Sequence, residues 1–318
     1  MVETIYEELG QGISCIDANY GAFGRACFYL LEHAGECAVI ETGTANSVEN
    51  LLRCMADKSL EPNQVKYVIP THVHLDHAGG AGLMMQTFAQ ASLVVHPKGA
   101  RHLIDPSRLV ASSIAVYGEE TFQRLYGEVV PVAPHRVIEA EDNGVLDLGG
   151  RPLRLRFTPG HADHHFCVWD QHSRGWFSGD MFGLSYPEMR FETGNFVMAS
   201  TTPNQFRPEA FIESVALLRS YSPERMYLTH YGELAYRDEL AELLCQQVTD
   251  YQSFAPLYEG RIEALAKHIA DYTLARLSSL GPPEGVEACR SVVEGDANLN
   301  AQGLAVWLDR MNISPQLT

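Results

Sequence analysis

The feature that most constrains the fold of this chain is a cluster of metal-binding residue types directly after a predicted strand. Residues 65–70 form an apolar run that predicts a buried strand, and three histidines and an aspartate follow within seven positions. Imidazole and carboxylate groups are ligands that zinc and iron(II) prefer in proteins. A group this dense is untypical of a core or a solvated turn, so it predicts a metal site. The four residues are His72, His74, Asp76 and His77.

Three further residues of the same kinds stand at the carboxyl ends of later predicted strands. They are His161, Asp180 and His230. With the first cluster they make five imidazoles and two carboxylates, enough to hold two metal ions with three or four protein ligands each. Two divalent ions about 3.5–4 Å apart lower the pKa of a shared water toward 7 and polarise a substrate carbonyl or phosphoryl oxygen. The sequence therefore predicts a two-metal hydrolytic centre.

These motifs, in this order, resemble the metallo-β-lactamase superfamily. The signature H-x-H-x-D-H stands at residues 72–77, and the later motifs stand as Pro159-Gly160-His161, Ser178-Gly179-Asp180 and Thr229-His230. The resemblance covers about residues 10–235. It implies an α+β fold, a four-layer αββα sandwich, with the site at one edge between two β-sheets.

The resemblance also implies a role for each ligand. A hydroxide that bridges the two metals attacks an acyl or phosphoryl centre, while Asp76 and Asp180 act as catalytic carboxylates that orient it and relay its proton. Two zinc ions are the expected cofactors, and iron or manganese are alternatives that the same ligands accept. An aspartate at position 180 is similar to the general hydrolase and glyoxalase II branch, although the basic residues that bind glutathione have no clear match. The implied first metal takes His72, His74 and His161, the second takes Asp76, His77 and His230, and Asp180 bridges them.

The residues before the first motif and after the third motif also carry predictions. Many members of the family carry an aspartate in an early V-[ILV]-D-T-G motif that supports the metal loop, and here the residue is Glu41. Glutamate is one methylene longer, so the sequence leaves its hydrogen bond to the loop open. After the third motif, we expect His165 to be structural and His164 to lie on the surface.

The resulting hypothesis is a dinuclear metal-dependent hydrolase that cleaves a small ester, thioester, lactone or phosphodiester. One alternative is a non-hydrolytic ligand-sensing or regulatory protein on the same scaffold. Another is an iron-dependent oxidoreductase that receives electrons from a separate donor. Loops such as 98–136 and 181–204 carry no motif that is diagnostic of a substrate.

Composition excludes several other classes of protein. The formal net charge is −17 and the 23 lysines and arginines form no basic stripe, so we expect no nucleic-acid partner. No apolar run reaches about 18 residues, which predicts no membrane span. The acidic N-terminus lacks the pattern of a signal peptide, and the seven cysteines form no C-x-x-C pair. These features predict a cytoplasmic protein that acts on a small molecule.

The chain is expected to have two parts. Residues 1–235 form the catalytic domain, and residues 236–318 form a helical extension with an apolar stripe that includes Ile262, Leu265 and Ile269. This extension either caps the catalytic domain or joins two copies into a homodimer. We also predict one helix over 106–125 and a last helix around 304–311.

Overall fold

The computed structural model describes residues 5–313, without the side chains of Val116, Asn312 and Ile313. Strands in this range follow the β-favouring runs of the sequence, and short turns of 3-10 helix join several of them. In chain order the strands are β1 (Tyr6–Gly10), β2 (Ile13–Asp17), β3 (Cys27–His33), β4 (Glu36–Ile40), β5 (Val65–Ile69), β6 (Ser92–Val95), β7 (Val137–Glu139), β8 (Val145–Leu148), β9 (Arg151–Phe157), β10 (Phe166–Asp170), β11 (Gly175–Gly179), β12 (Arg190–Phe191), β13 (Gly194–Asn195), β14 (Arg225–Leu228) and β15 (Gly232–Ala235).

The α-helices of the described range fall into two groups, six before β7 and four after β13. They are α1 (Val48–Asp57), α2 (Leu75–Ala78), α3 (Ala81–Thr87), α4 (Pro97–Ile104), α5 (Ser107–Tyr117), α6 (Glu119–Tyr126), α7 (Pro208–Ser220), α8 (Asp238–Phe254), α9 (Ile262–Leu277) and α10 (Pro283–Ile313).

The first sheet has seven strands in sequence order, β1 to β7. Pairing is antiparallel from β1 to β4 and parallel from β4 to β7. Because parallel neighbours end at the same edge of a sheet, the residues that follow β4 and β5 lie side by side. Those residues are Glu41, which follows β4, and the loop that carries His72 and His74, which follows β5.

The second sheet has six strands in the order β15-β14-β11-β10-β9-β8. β11 and β14 are parallel, and the other neighbours are antiparallel. β14 therefore delivers Thr229 and His230 at the edge where β11 ends.

The inner strands β2, β3 and β4 of the first sheet are buried on both faces. Along β4, Ala38 and Ile40 pack in a core cluster shared with the second sheet, which contributes Phe166 and Phe177. Val39 packs in a different cluster, formed with the helices on the other face of the sheet. Alternate residues of a strand point to opposite faces, so a strand with two covered faces reads as a continuous apolar run.

The chain divides into two compact units. The first comprises the residues up to Phe157 together with His164–Gly179 and Pro223–Ala235, and it contains both large sheets. The second comprises Thr158–Asp163, Asp180–Ser222 and the residues from Tyr236 onward.

Helices dominate the second unit, which also contains the two-stranded ribbon of β12 and β13. α9 and α10 pack along each other, and α7 packs on α8. On α10 the buried positions Cys289, Val293, Ala297 and Ala301 recur every four residues, which gives the helix one continuous inner face. The unit therefore has its own buried core.

Two predicted helices differ from those in the structure. The helix predicted over 106–125 is wrong as a single element, because Gly118 adopts a φ of 78° and separates α5 from α6. Only glycine takes this left-handed conformation readily, so the helix ends there. The last helix begins at Pro283, much earlier than the apolar residues around 304–311 indicate. Proline is well suited to a first helical turn, where its missing N–H is not needed.

Among the described residues, no helix is both long enough and apolar enough to cross a membrane. The seven cysteines lie in the described range and form no disulfide there, and six of them are buried.

Candidate metal site

The loop after β5 presents its four metal-binding residues in two ways. His72 and His74 lie before α2, where His74 has an extended backbone with φ of −63° and ψ of 147°. Residues two apart in extended chain point to the same side. Asp76 and His77 lie in the single turn of α2. The loop therefore directs side chains from both an extended segment and a helical turn to one region.

Glycine at position 80 lets the end of this loop lie close to the loop after β4. A Cβ atom on Gly80 would lie 2.6 Å from the carbonyl oxygens of both Thr42 and Thr44. The Thr42 N–H and the Thr42 hydroxyl donate to the carbonyl oxygen of His77, at 2.7 Å and 2.9 Å. The loop after β4 and the turn that carries His77 are thus fixed to each other through their backbones.

Five of the predicted ligands come together in the first unit. His72 Nε2 lies 2.8 Å from His74 Nδ1, and the rings of His72 and His77 have centroids 4.0 Å apart. Asp76 Oδ2 lies 3.6 Å from His77 Nε2 and 3.3 Å from His230 Nε2. One metal-capable cluster is therefore built from the loop after β5 and the end of β14.

Glu41 forms the hydrogen bonds to the loop after β5 that the sequence left open. Its side chain is 1% exposed, and its Oε2 accepts the Thr71 N–H at 2.9 Å. Its Oε1 accepts from the Thr71 hydroxyl at 2.5 Å, from His77 Nδ1 at 3.0 Å and from the Thr229 hydroxyl at 3.1 Å. The residue has a left-handed φ of 62°, a strained conformation for a non-glycine residue that is common at functional sites. Glu41 therefore links the ends of β4, β5 and β14.

These hydrogen bonds fix the tautomer of three histidines. His77 Nδ1–H donates to Glu41, and His230 Nδ1–H donates to the carbonyl oxygen of Arg25 at 2.6 Å. His72 Nδ1 lies 3.1 Å from the Thr71 hydroxyl, whose own proton goes to Glu41, so this nitrogen is also the donor. In a neutral imidazole the other nitrogen then carries the lone pair. Each ring presents Nε2 as a potential metal ligand.

The chemistry of these donors fits a divalent metal ion. The ligand atoms of Asp76, His77 and His230 all lie within 4.8 Å of one another. A carboxylate and neutral imidazoles oriented by protein hydrogen bonds are the ligand set that zinc accepts. The arrangement can hold a cation and place a carboxylate beside it.

The other two predicted ligands come together in the second unit. His161 Nε2 lies 3.5 Å from Asp180 Oδ2, and both side chains are buried. The turn before His161 needs glycine, because Gly160 has a φ of 137° and a Cβ atom there would lie 2.4 Å from the Cα atom of Phe211. His161 Nδ1 lies 3.3 Å from the carbonyl oxygen of Ser200, which again leaves Nε2 as the acceptor nitrogen.

His164 was expected on the surface, and that expectation is wrong. The residue is buried at 7% exposure in the first unit, and its Nδ1 accepts the Val73 N–H at 3.4 Å. Its ring makes an edge-to-face contact with His74, with centroids 5.8 Å apart. The signal for this burial is the position of His164 just before β10, a strand buried at every position. The neighbouring His165 is fully buried, and its structural role stays a prediction.

A sequence profile of the metallo-beta-lactamase superfamily matches residues 24–230, which is more than half of the chain. The chain belongs to this superfamily. The predicted fold class, an α+β αββα sandwich with a helical C-terminal extension, is thereby confirmed.

The metallo-beta-lactamase fold-containing protein ST1585 of Sulfurisphaera tokodaii is 29% identical over 198 residues, which cover 61% of this chain and 68% of that protein. Its crystal structure superposes with a TM-score of 0.61 over 74% of this chain and 85% of that chain. The family protein TTHA1429 of Thermus thermophilus has a TM-score of 0.60 and covers 96% of this chain and 95% of its own. At 20% identity, that second likeness concerns the fold alone.

Another relative carries the name of an activity. The acyl-coenzyme A thioesterase MBLAC2 of Gallus gallus is 28% identical over 187 residues. The match spans 55% of this chain and 65% of that protein, so slightly less than two thirds of the relative has a counterpart here.

Proposed function

We propose that this chain is a dinuclear metal-dependent hydrolase. The observation that carries the proposal is the buried cluster around Asp76, in which imidazoles donate through Nδ1 to protein acceptors and present Nε2. When bound, divalent metal ions lower the pKa of a coordinated water toward neutrality and polarise the carbonyl group of a substrate. The proposed ligands of the two ions are His72, His74, Asp76, His77, His161, Asp180 and His230.

The protein residues have distinct parts in this proposal. Asp76 has 22% of its side chain exposed, against 0% for His77 and 8% for His230. Of these three side chains, its carboxylate is therefore the one that solvent reaches most easily. We assign Asp76 the task of orienting the attacking water and accepting its proton, which requires an ionised carboxylate within hydrogen-bond reach. Asp180 is the second carboxylate proposed to act on the nucleophile.

Among the candidate substrates, we propose a thioester of the acyl-coenzyme A class. The support is the similarity to the vertebrate acyl-coenzyme A thioesterases, which are 25–28% identical over part of their length. Thioester hydrolysis needs an activated water and a stabilised oxyanion, which are the two things a metal-bound carboxylate and imidazole site provides. Esters, lactones and phosphodiesters require the same two functions, so they form the comparison set.

The experiment is a parallel substrate screen with metal analysis. Purified protein loaded with zinc is tested for thiol release from short-chain and long-chain acyl-coenzyme A, and for cleavage of an aryl ester, a lactone and a phosphodiester. We expect thioester cleavage to dominate and to disappear in His74→Ala, while an exposed control such as Glu49→Gln keeps full activity. Metal-loaded protein with no turnover of any substrate would contradict the hydrolase proposal and favour a ligand sensor.

A further inference from the structure

The helices of the C-terminal extension contact a buried segment of chain that leads to two proposed metal ligands. This segment, residues 197–201, is buried at every position and lies in the second unit with α8 and α10. Its backbone pairs with Leu184 through Met198, with bonds of 2.8 Å and 2.9 Å. The hydrogen-bonding groups of Val197, Ala199 and Thr201 point to other partners.

Two side-chain amides satisfy those groups. Gln247 on α8 donates to the carbonyl oxygen of Val197 at 2.7 Å and accepts the Ala199 N–H at 3.2 Å. Asn300 on α10 donates to the carbonyl oxygen of Ala199 at 2.9 Å and accepts the Thr201 N–H at 2.7 Å. Both amides are at most 1% exposed. The two helices therefore take the place of a neighbouring strand along the 197–201 segment.

Gly303 brings α10 into direct contact with the same segment. A Cβ atom at this position would lie 1.5 Å from the carbonyl oxygen of Thr201 and 2.9 Å from the carbonyl carbon of Thr202. Gly303 lies one turn after Asn300, so both face the segment from the same side of the helix. No other residue type permits this approach without displacement of the backbone.

The segment in turn contacts His161 and Asp180. The carbonyl oxygen of Ser200 lies 3.3 Å from His161 Nδ1, and the Ser200 hydroxyl lies 3.5 Å from Asp180 Oδ2. The next residue but one, Thr202, places its hydroxyl 3.4 Å from His161 Nε2. A hydrogen bond to Nδ1 sets the orientation and tautomer of a metal-binding imidazole.

We propose that the C-terminal extension positions the metal site, with Gln247 and Asn300 as positioning residues that fix the 197–201 segment and, through Ser200, orient His161 and Asp180. This inference rests on the proposed function, because it assigns both residues to metal binding. It gives the helices a task beyond capping or dimerisation. Displacement of Ser200 removes the partner of His161 Nδ1 and lowers the affinity for metal.

The test compares isosteric variants with a control on the same helix. Asn300→Asp and Gln247→Glu keep the accepting oxygen and replace the donating nitrogen by an oxygen that faces a carbonyl group. Asp250→Asn is the control, since Asp250 lies one turn beyond Gln247 and bonds Tyr272 and Arg276 instead, at 2.5 Å and 2.9 Å. Zinc affinity is measured by competition with a chromogenic chelator, and unfolding temperature is measured beside it.

We expect each isosteric variant to lose zinc affinity about tenfold, as for other groups that orient metal ligands. Excess zinc should restore hydrolysis in them. The control should lose thermal stability and keep the affinity of the wild type. If both variants unfold at a lower temperature yet bind zinc as the wild type does, the positioning role is wrong while the proposed function stands. If the wild type binds no zinc, both the proposed function and this inference fail.

Discussion

Glu41 Oε1 accepts a hydrogen bond from His77 Nδ1 at 3.0 Å, within a buried cluster of donors that also includes Thr71 and Thr229. Four donors converge on this one carboxylate, because Thr71 contributes both its N–H and its hydroxyl. The longer side chain in place of the family's usual aspartate thus still supports the metal loop. The left-handed backbone at Glu41, at the end of β4, is part of how the side chain reaches the ends of β5 and β14.

Replacement of Glu41 by glutamine should weaken metal binding. The amide has one accepting oxygen instead of two. Its NH₂ group must therefore face a donor, which is either the Thr71 N–H or the three donors that now bond Oε1. We expect zinc affinity to fall about 10–100-fold, the usual effect of removing a group that orients a metal-binding imidazole. Chelator competition measures this directly. The matched change Glu49→Gln, at an exposed position on α1, should leave the affinity unaltered, and equal affinities in both variants would argue against the role of Glu41.

Gly179→Ala should disturb Thr71, which bonds Glu41 at the base of the loop after β5. Gly179 is the last residue of β11 in the second sheet. The glycine has a φ of 50°, and an added Cβ atom would lie 2.4 Å from the Thr71 hydroxyl and 2.6 Å from His165 Nε2. We expect a loss of about 1–3 kcal/mol in the free energy of unfolding, typical of overpacking, together with weaker zinc binding. Urea denaturation and chelator competition check the two effects.

The control for that variant is Gly295→Ala on α10, where an added Cβ atom meets nothing within 4 Å. Alanine is preferred to glycine inside a helix by roughly 0.5–1 kcal/mol, so this variant should be as stable as the wild type or more stable. A Gly179→Ala protein with unchanged stability would show that Thr71 can move freely, contrary to the packing described.

A buried ion pair should set much of the acid sensitivity of the first unit. Arg151 and Asp170 are both fully buried and form two bonds, Nε to Oδ1 at 3.0 Å and Nη2 to Oδ2 at 2.5 Å. Burial alone raises the pKa of Asp170, but the hydrogen bonds from Arg151 and Ser173 outweigh it and hold that pKa below its ordinary value. Replacement by asparagine should cost about 3–5 kcal/mol, because it leaves the guanidinium buried without its partner.

The pH dependence of this pair follows from the lowered pKa. A carboxyl group with a lower pKa in the folded state contributes stability above its unfolded pKa of about 3.9, and that contribution is lost as the pH falls through the folded value. Urea unfolding between pH 7 and pH 3 should show the wild type losing stability below about pH 4. Asp170→Asn should lose less over the same range. Parallel curves for the two proteins would contradict the assignment.

Much of the candidate metal site is predictable from sequence because its proposed ligands lie in short motifs at strand ends. The H-x-H-x-D-H spacing alone places His72 and His74 two apart in extended chain and His77 in the following turn. The structure brings these residues together with His230, as the spacing and the resemblance indicate. The exact metal roles of all seven residues, the domain functions, the cytoplasmic location and the homodimer stay predictions.

Other features depend on contacts between distant parts of the chain, which local patterns do not report. The reach of Glu41 depends on a left-handed backbone and on donors 30 and 188 residues away. The contact of His164 with the Val73 N–H joins positions 91 apart. The contacts of Asn300 with residues 199–201 join positions about 100 apart, and an asparagine inside a long helix has no sequence signal that marks it as buried.

We propose that this chain hydrolyses its substrate through two metal ions held by the seven proposed ligands. The most direct test measures zinc content and thioester hydrolysis in the wild type, His74→Ala and Asp180→Ala, with circular dichroism to confirm that each is folded. We predict about two zinc ions per wild-type chain, fewer in each variant, and loss of hydrolysis in both. Full activity in both folded variants would contradict the account.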